Sequence, residues 1–170
     1  MHIVIIIFNN KMFREVRRQN RILEDEERIK ELLLTSEYGF LSLGISENGY
    51  SYGIPLNYAY DEEENILYFH CAPEGEKLDI LKKHSKVSFC IVGVTQPIPD
   101  QFSTKYESVI AFGRADIELS DEEKRKALRL IVKKYSPEYE EIGEKYMDKS
   151  WERTMTFKVT IEHLTAKAKY

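Results

Sequence analysis

The stretch richest in chemistry runs from Ile66 to Lys83, I-L-Y-F-H-C-A-P-E-G-E-K-L-D-I-L-K-K. It opens on strand-forming residues, Ile66-Leu67-Tyr68-Phe69, and breaks at Pro73 and Gly75. It resumes as a helix, with Leu78 and Leu81 on one face and Lys77, Lys82 and Lys83 around it. The first backbone N–H groups of a helix have no intrahelical partner and carry partial positive charge. A phosphate set there gains those donors, and Lys77 adds a full charge. The spacing therefore predicts an anion site at the turn around Gly75, and the other elements have to position it.

Before this stretch, Asp25 is placed to cap a helix running to about Leu34, with Glu26 and Glu27 suiting its dipole. Tyr38–Ile45 reads as a strand closed by the Asn48-Gly49 turn, a strong hairpin signal. The next strand, Tyr50–Tyr60, carries Pro55 in its middle. Proline donates nothing to a ladder, so Pro55 predicts an edge, a bulge or a place where something other than a strand is bound. After the helix comes a strand, Lys86–Val94, and then a loop, Thr95–Lys105, inferred from Pro97 and Pro99. A long strand, Tyr106–Leu119, has Gly113 inside it, which predicts a bulge or a close approach. Ser120 and Glu123 form a capping box opening a helix to about Tyr135. A second helical run, Glu138–Met147, follows Pro137. Met155, Phe157, Val159 and Ile161 alternate with polar residues in a last strand, Thr154–Leu164. Six strands with helices inserted between them predict a mainly β fold, an antiparallel barrel with α additions. Residues 1–20 read as an N-terminal arm and 21–170 as one domain.

Composition narrows the function. The 170 residues are 42% hydrophobic with a net charge of -4, enough for a real core and without a basic stripe for nucleic acid. Two cysteines, Cys71 and Cys90, make no disulfide framework, and no ligand spacing supports a metal site. Met1–Phe8, M-H-I-V-I-I-I-F, is too short to span a bilayer and makes a poor signal peptide. It reads as an extra strand or as an artefact of start-site choice, with Met12 the true start. A soluble, cytoplasmic protein is the expectation.

Four segments together resemble the FMN-binding split-barrel family of pyridoxamine 5'-phosphate oxidase-like proteins, and within it the nitroimidazole-resistance branch. They are Gly53-Ile54-Pro55-Leu56-Asn57-Tyr58, then Tyr68 to Leu81, then Ser108-Val109-Ile110-Ala111-Phe112-Gly113-Arg114-Ala115, and the closing Thr165-Ala166-Lys167. The resemblance implies a six-stranded Greek-key split β-barrel and a homodimer with FMN in the clefts between subunits. It lays the flavin ring along Ile54, Pro55, Leu56 and Asn57. It gives the phosphate to Phe69, His70, Glu76 and Lys77, and brings Ser108 from the other subunit. It further implies a flavin-dependent oxidoreductase acting on a small organic molecule, with NAD(P)H or another electron donor. The alternatives are a non-catalytic flavin- or haem-binding module and a pyridoxamine 5'-phosphate oxidase. Against the last, the oxidase branch has an arginine where Tyr52 stands and a lysine where Asn57 stands. Its C-terminal substrate-binding segment is also absent, and Ala166 replaces a glycine usual in the nitroimidazole-resistance branch.

Single residues carry more than one reading. In that branch the histidine matching His70 lies beside the flavin, so His70 is the catalytic candidate for proton delivery; it also serves as a plain hydrogen-bonding partner of phosphate or ribityl oxygens. Lys77 reads as a phosphate contact or a surface lysine, and Asn57 as a ring contact or a strand residue. Arg114 reads as a solvated strand arginine or a phosphate or partner contact, Trp151 as core or dimer packing, and Phe102 and Tyr106 as loop anchors or cleft lining.

Overall fold

Apolar–polar alternation makes the strands, and the places where it fails shape the barrel. The computed structural model describes residues 12–170; the first eleven residues, with the run Met1–Phe8, lie outside the described residues. Helix α1 (Glu26–Thr35) starts where expected, the Asp25 carboxylate accepting from the Arg28 N–H at 3.0 Å. The strands are β1 (Gly39–Ile45), β2 (Ser51–Leu56), β3 (Ala59–Asp61), β4 (Ile66–Cys71), β5 (Lys86–Ile98), β6 (Ser103–Asp116) and β7 (Met155–Lys169). Helix α2 (Glu76–Lys83) follows β4, while α3 (Asp121–Tyr135) and α4 (Glu140–Ser150) precede β7.

All strand pairs are antiparallel, in the order β2-β1-β5-β6-β7-β4-β3. The terminal strands of that order, β2 and β3, are consecutive in the chain with only Asn57 and Tyr58 between them. The sheet therefore curls until its edges meet without pairing, which is a split barrel. Seven strands replace the expected six because Tyr50–Tyr60 divides at this seam. Pro55 sits in β2 on the open edge, where its missing donor costs no ladder bond.

The barrel holds Leu41, Leu67, Phe69, Phe89, Ile91, Val109, Phe157 and Val159 with no exposure. Phe69 stacks on Phe157 at 4.7 Å and meets the edge of Phe89 at 5.1 Å, the geometries aromatic quadrupoles favour. One end is closed by α1, whose Arg28 forks onto the buried Glu107 through Nε at 2.8 Å and Nη2 at 2.5 Å. That guanidinium holds the Glu107 carboxyl below its ordinary range, and the Tyr170 hydroxyl donates to it at 2.9 Å.

Two expectations are corrected. The loop expected over Thr95–Lys105 is mostly strand: β5 runs to Ile98, β6 begins at Ser103, and Pro97 lies opposite Thr104. Strand β1 pairs with β5 only from Ser88 to Ile91. Beyond that point no described strand pairs with this edge of β5, so its prolines break no ladder there. This hairpin projects past the barrel, and Phe102 at its tip is fully exposed, so it anchors no loop within the chain. The last strand runs on to Lys169 and contains a bulge. Phe112 pairs with His163 but Gly113 pairs with Ile161, leaving Glu162 over. Gly113 allows this close approach, because a Cβ there would lie 2.2 Å from the Thr160 carbonyl oxygen. An extra residue reverses which side chains face inward. Inward Phe157, Val159 and Ile161 are accordingly followed by inward Leu164 and Ala166, while His163 turns to the outer face beside Phe112. No helix among the described residues is long and apolar enough to cross a membrane.

Candidate functional site

The seam is held by a side chain in place of a strand. The Tyr135 hydroxyl, from the last turn of α3, accepts from the Tyr58 N–H at 3.0 Å and lies 3.0 Å from the Tyr58 carbonyl oxygen. It also donates to the Glu37 carbonyl. One hydroxyl proton is thus shared between two carbonyls, and the single oxygen does the work of a missing ladder rung. The exposed Asn57 side chain donates through Nδ2 to the same Glu37 carbonyl at 2.9 Å. Behind the seam the Lys134 ammonium lies 3.6 Å over the Tyr58 ring and finds no hydrogen-bond acceptor. Burial pushes its pKa down to about 8 and, with the Tyr135 charge second, raises that of Tyr58.

The expected anion turn lies at the end of β4. Gly75 is the N-cap residue of α2 at φ 129°, ψ 162°, a region open essentially to glycine alone. A glycine cap brings no side-chain acceptor, so the first N–H groups of α2 have no capping partner. Lys77 is half-buried over the strand end. Its charge acts on both Cys71 and His70. Burial raises the Cys71 pKa and Lys77 offsets part of that rise. His70 is open to solvent along one side yet lies against enough protein to be desolvated; desolvation first and the Lys77 charge second hold it below 6.5. Its ring is therefore neutral at pH 7, with one nitrogen donating and one accepting. Opposite His70 in register stands Thr156, 3% exposed, whose hydroxyl has no partner.

These residues are not all equally free to meet a ligand. Ile54 and Leu56 turn their side chains toward the core, leaving their backbone on the open edge of β2 and the exposed ring of Pro55 between them. The Phe69 side chain is wholly in the core, so Phe69 has only its backbone to offer. Glu76 is exposed in the first turn, where its carboxylate repels a phosphate while its N–H attracts one. Ala59 lies opposite Tyr68, and Leu56 is only three residues earlier. The seam thus brings Pro55, Leu56 and Asn57 to the same end of the barrel as His70 and Lys77. Ser108 is elsewhere. It faces outward on β6 opposite Lys167, eleven residues along β7 from the Thr156 that faces His70, or about 36 Å of strand. A single chain cannot bring Ser108 to His70. Among the described residues no three His, Cys, Asp or Glu side chains gather as a metal site.

Comparison with known proteins agrees with this architecture. The family model described as pyridoxamine 5'-phosphate oxidase matches residues 25–168. The chain belongs to that family. Among solved structures, a proposed 5-nitroimidazole antibiotic resistance protein from Bacteroides thetaiotaomicron is 24% identical. The match covers 86% of this chain and 85% of that one with a TM-score of 0.67. The flavocytochrome Anf3 from Azotobacter vinelandii is 19% identical over 95% of this chain and 75% of that one, TM-score 0.74. A FAD-binding protein from Mesorhizobium loti is 22% identical over 88% and 98%, TM-score 0.57. At these identities the likeness concerns the fold. No curated protein matches the chain.

Within this pyridoxamine 5'-phosphate oxidase family member, the sequence left Tyr135, Lys134 and Thr156 unremarked. Tyr135 and Lys134 end an ordinary amphipathic helix and Thr156 is one polar residue in an alternating strand. Their roles arise only from what lies across from them.

Proposed function

We propose that the protein binds FMN in clefts between the two copies of a homodimer and works in the cytoplasm as a flavin-dependent oxidoreductase. Its substrate is a small organic molecule, a nitroaromatic among the candidates, with NAD(P)H or another electron donor. The observation that carries this reading is the uncapped start of α2 after Gly75 with Lys77 beside it. A dianionic phosphate needs several N–H donors and a cation, and these residues supply both. Flavin and not another phosphate compound is favoured by the relatives described as a FAD-binding protein and a flavocytochrome. The nitroaromatic is favoured by the relative described for nitroimidazole resistance.

When bound, the flavin supplies the electron transfer. The chain's residues would do the rest. The N–H groups of Glu76 and Lys77 and the Lys77 ammonium hold the phosphate. The open edge of β2 from Ile54 to Leu56, with Asn57 Oδ1, meets the ring. His70, neutral at pH 7, offers one N–H and one lone pair beside it. Ser108 enters from the partner copy, since its own chain holds it far from His70. The exposed outward side chains Tyr38, Phe40, Val92 and Val94, continuous with the projecting hairpin, support a second copy on that face. Two unpaired cysteines fit a reducing compartment.

A second reading, haem held by His70, is favoured by that ring being neutral and open to solvent. The absorption spectrum of freshly purified protein separates the two. Flavin bands that bleach under NAD(P)H and recover on adding a nitro compound are expected. A Soret band points to haem, and flavin that never turns over removes the enzymatic part.

A further inference from the structure

The outer face of β6 and β7 carries a second feature, away from α2. The arm from Met12 to Arg17 crosses this face and lines, with Phe112, His163, Thr165 and Lys167, an open cleft of about 500 Å3. The Phe13 ring stacks on His163 with centroids 4.3 Å apart and planes 9° from parallel. Phe112 lies 5.3 Å from Phe13 at 46°. The walls are therefore flat and aromatic. His163 is 8% exposed and its Nδ1 has no hydrogen-bond partner. A buried ring nitrogen left unpaired costs free energy that nothing among the described residues recovers. Burial also lowers its pKa, so the ring is neutral and only one nitrogen carries a proton. Arg14, Arg17 and Lys167 add three positive charges against the single carboxylate of Glu15. Among the described residues no ion pair engages any of the three.

We propose that this cleft binds a planar aromatic carboxylate. Its ring would lie against Phe13, Phe112 and His163, and its charge would be met by Arg14, Arg17 and Lys167 with the unpaired His163 nitrogen. Guanidinium groups match a carboxylate in plane and in charge. A cleft of this size suits a small ligand, since such pockets run from roughly 300 to 1,000 Å3. The site stands apart from α2, and through Lys167, which pairs with Ser108, it borders the face given above to the second copy.

Benzoate, benzamide and cyclohexanecarboxylate test it on the full chain as purified, with histidine rings labelled in 15N. The His163 resonance is assigned from its loss in His163→Phe. The expected result is that benzoate moves the His163 ring signal and leaves His70 still. Benzoate should bind at least tenfold tighter than the neutral amide and tighter than the saturated acid. The exposed pair Arg14→Gln with Arg17→Gln should cut benzoate affinity at least fivefold, and this variant keeps the test decisive if His163→Phe fails to fold. Benzamide binding as well as benzoate, the saturated acid matching it, an unchanged affinity in the double variant, or no His163 shift at millimolar benzoate would each overturn the proposal.

Discussion

Lys77 concentrates the local chemistry: it is the cation of the proposed anion turn, it offsets part of the rise in the Cys71 pKa and it is a cause of the lowered His70 pKa. Lys77→Ala should weaken FMN binding by about 1–3 kcal/mol, the size of a charge-assisted hydrogen bond. Quenching of flavin fluorescence on titration reads this directly, and an unchanged dissociation constant would take Lys77 out of the site. The same variant should raise the His70 midpoint toward 6.5 in an NMR titration, because a neighbouring positive charge is removed. At this scale the sequence was legible wherever a residue's chemistry comes from its own backbone. Gly75 and Lys77 announce a helix start, and Pro55 announces an edge. It was not legible where partners across strands decide. Phe69 and Tyr68 are both apolar and adjacent, and nothing local says which one enters the barrel. Thr156 matters only because His70 lies opposite.

Among the elements, the seam depends on a helix supplying what a strand would have supplied. Tyr135→Phe removes the hydroxyl from Tyr58 and Glu37 while keeping the ring. It should cost about 1–3 kcal/mol, since buried backbone groups lose their partner. Urea unfolding measures the loss. Hydrogen exchange at the Tyr58 amide should quicken more than in the barrel core; equal protection there would mean that water or Asn57 already suffices. The capped helices α1 and α3 were readable because capping is local, as the Ser120 hydroxyl accepting from the Glu123 N–H at 3.2 Å illustrates. The hairpin after Ile91 was misread because proline signals a loop only when both edges of a strand are in use. Whether an edge is in use is set by how far β1 extends, and no residue of the hairpin records that.

For the whole molecule, two predictions concern assembly and acid. Phe40→Glu with Val92→Glu places charge on the exposed apolar face. The pair should convert a flavin-loaded dimer to an emptied monomer in sedimentation velocity; a monomeric parent protein that retains FMN would contradict the shared cleft. His70 and His163 both titrate below 6.5 in the fold. The unfolded chain therefore takes up protons first as pH falls, and stability held above about 6.5 is lost progressively below it. Urea midpoints should drop from pH 7 to pH 5.5, and His163→Phe should flatten that slope. An equally steep slope in the variant would assign the acid sensitivity elsewhere.

The leftover residue in β7 has a consequence for how this chain can change. Every side chain from His163 to Lys169 owes its orientation to Glu162 being present. Removing that one surface acid would invert the final stretch like a shifted reading frame, driving an imidazole and two ammonium groups inward and Leu164 and Ala166 out. Substitutions at position 162 should be mild, costing little beyond the ion pair with Arg114. Deletion there should be ruinous, so insertions and deletions, far more than point changes, are what this strand would fail to tolerate.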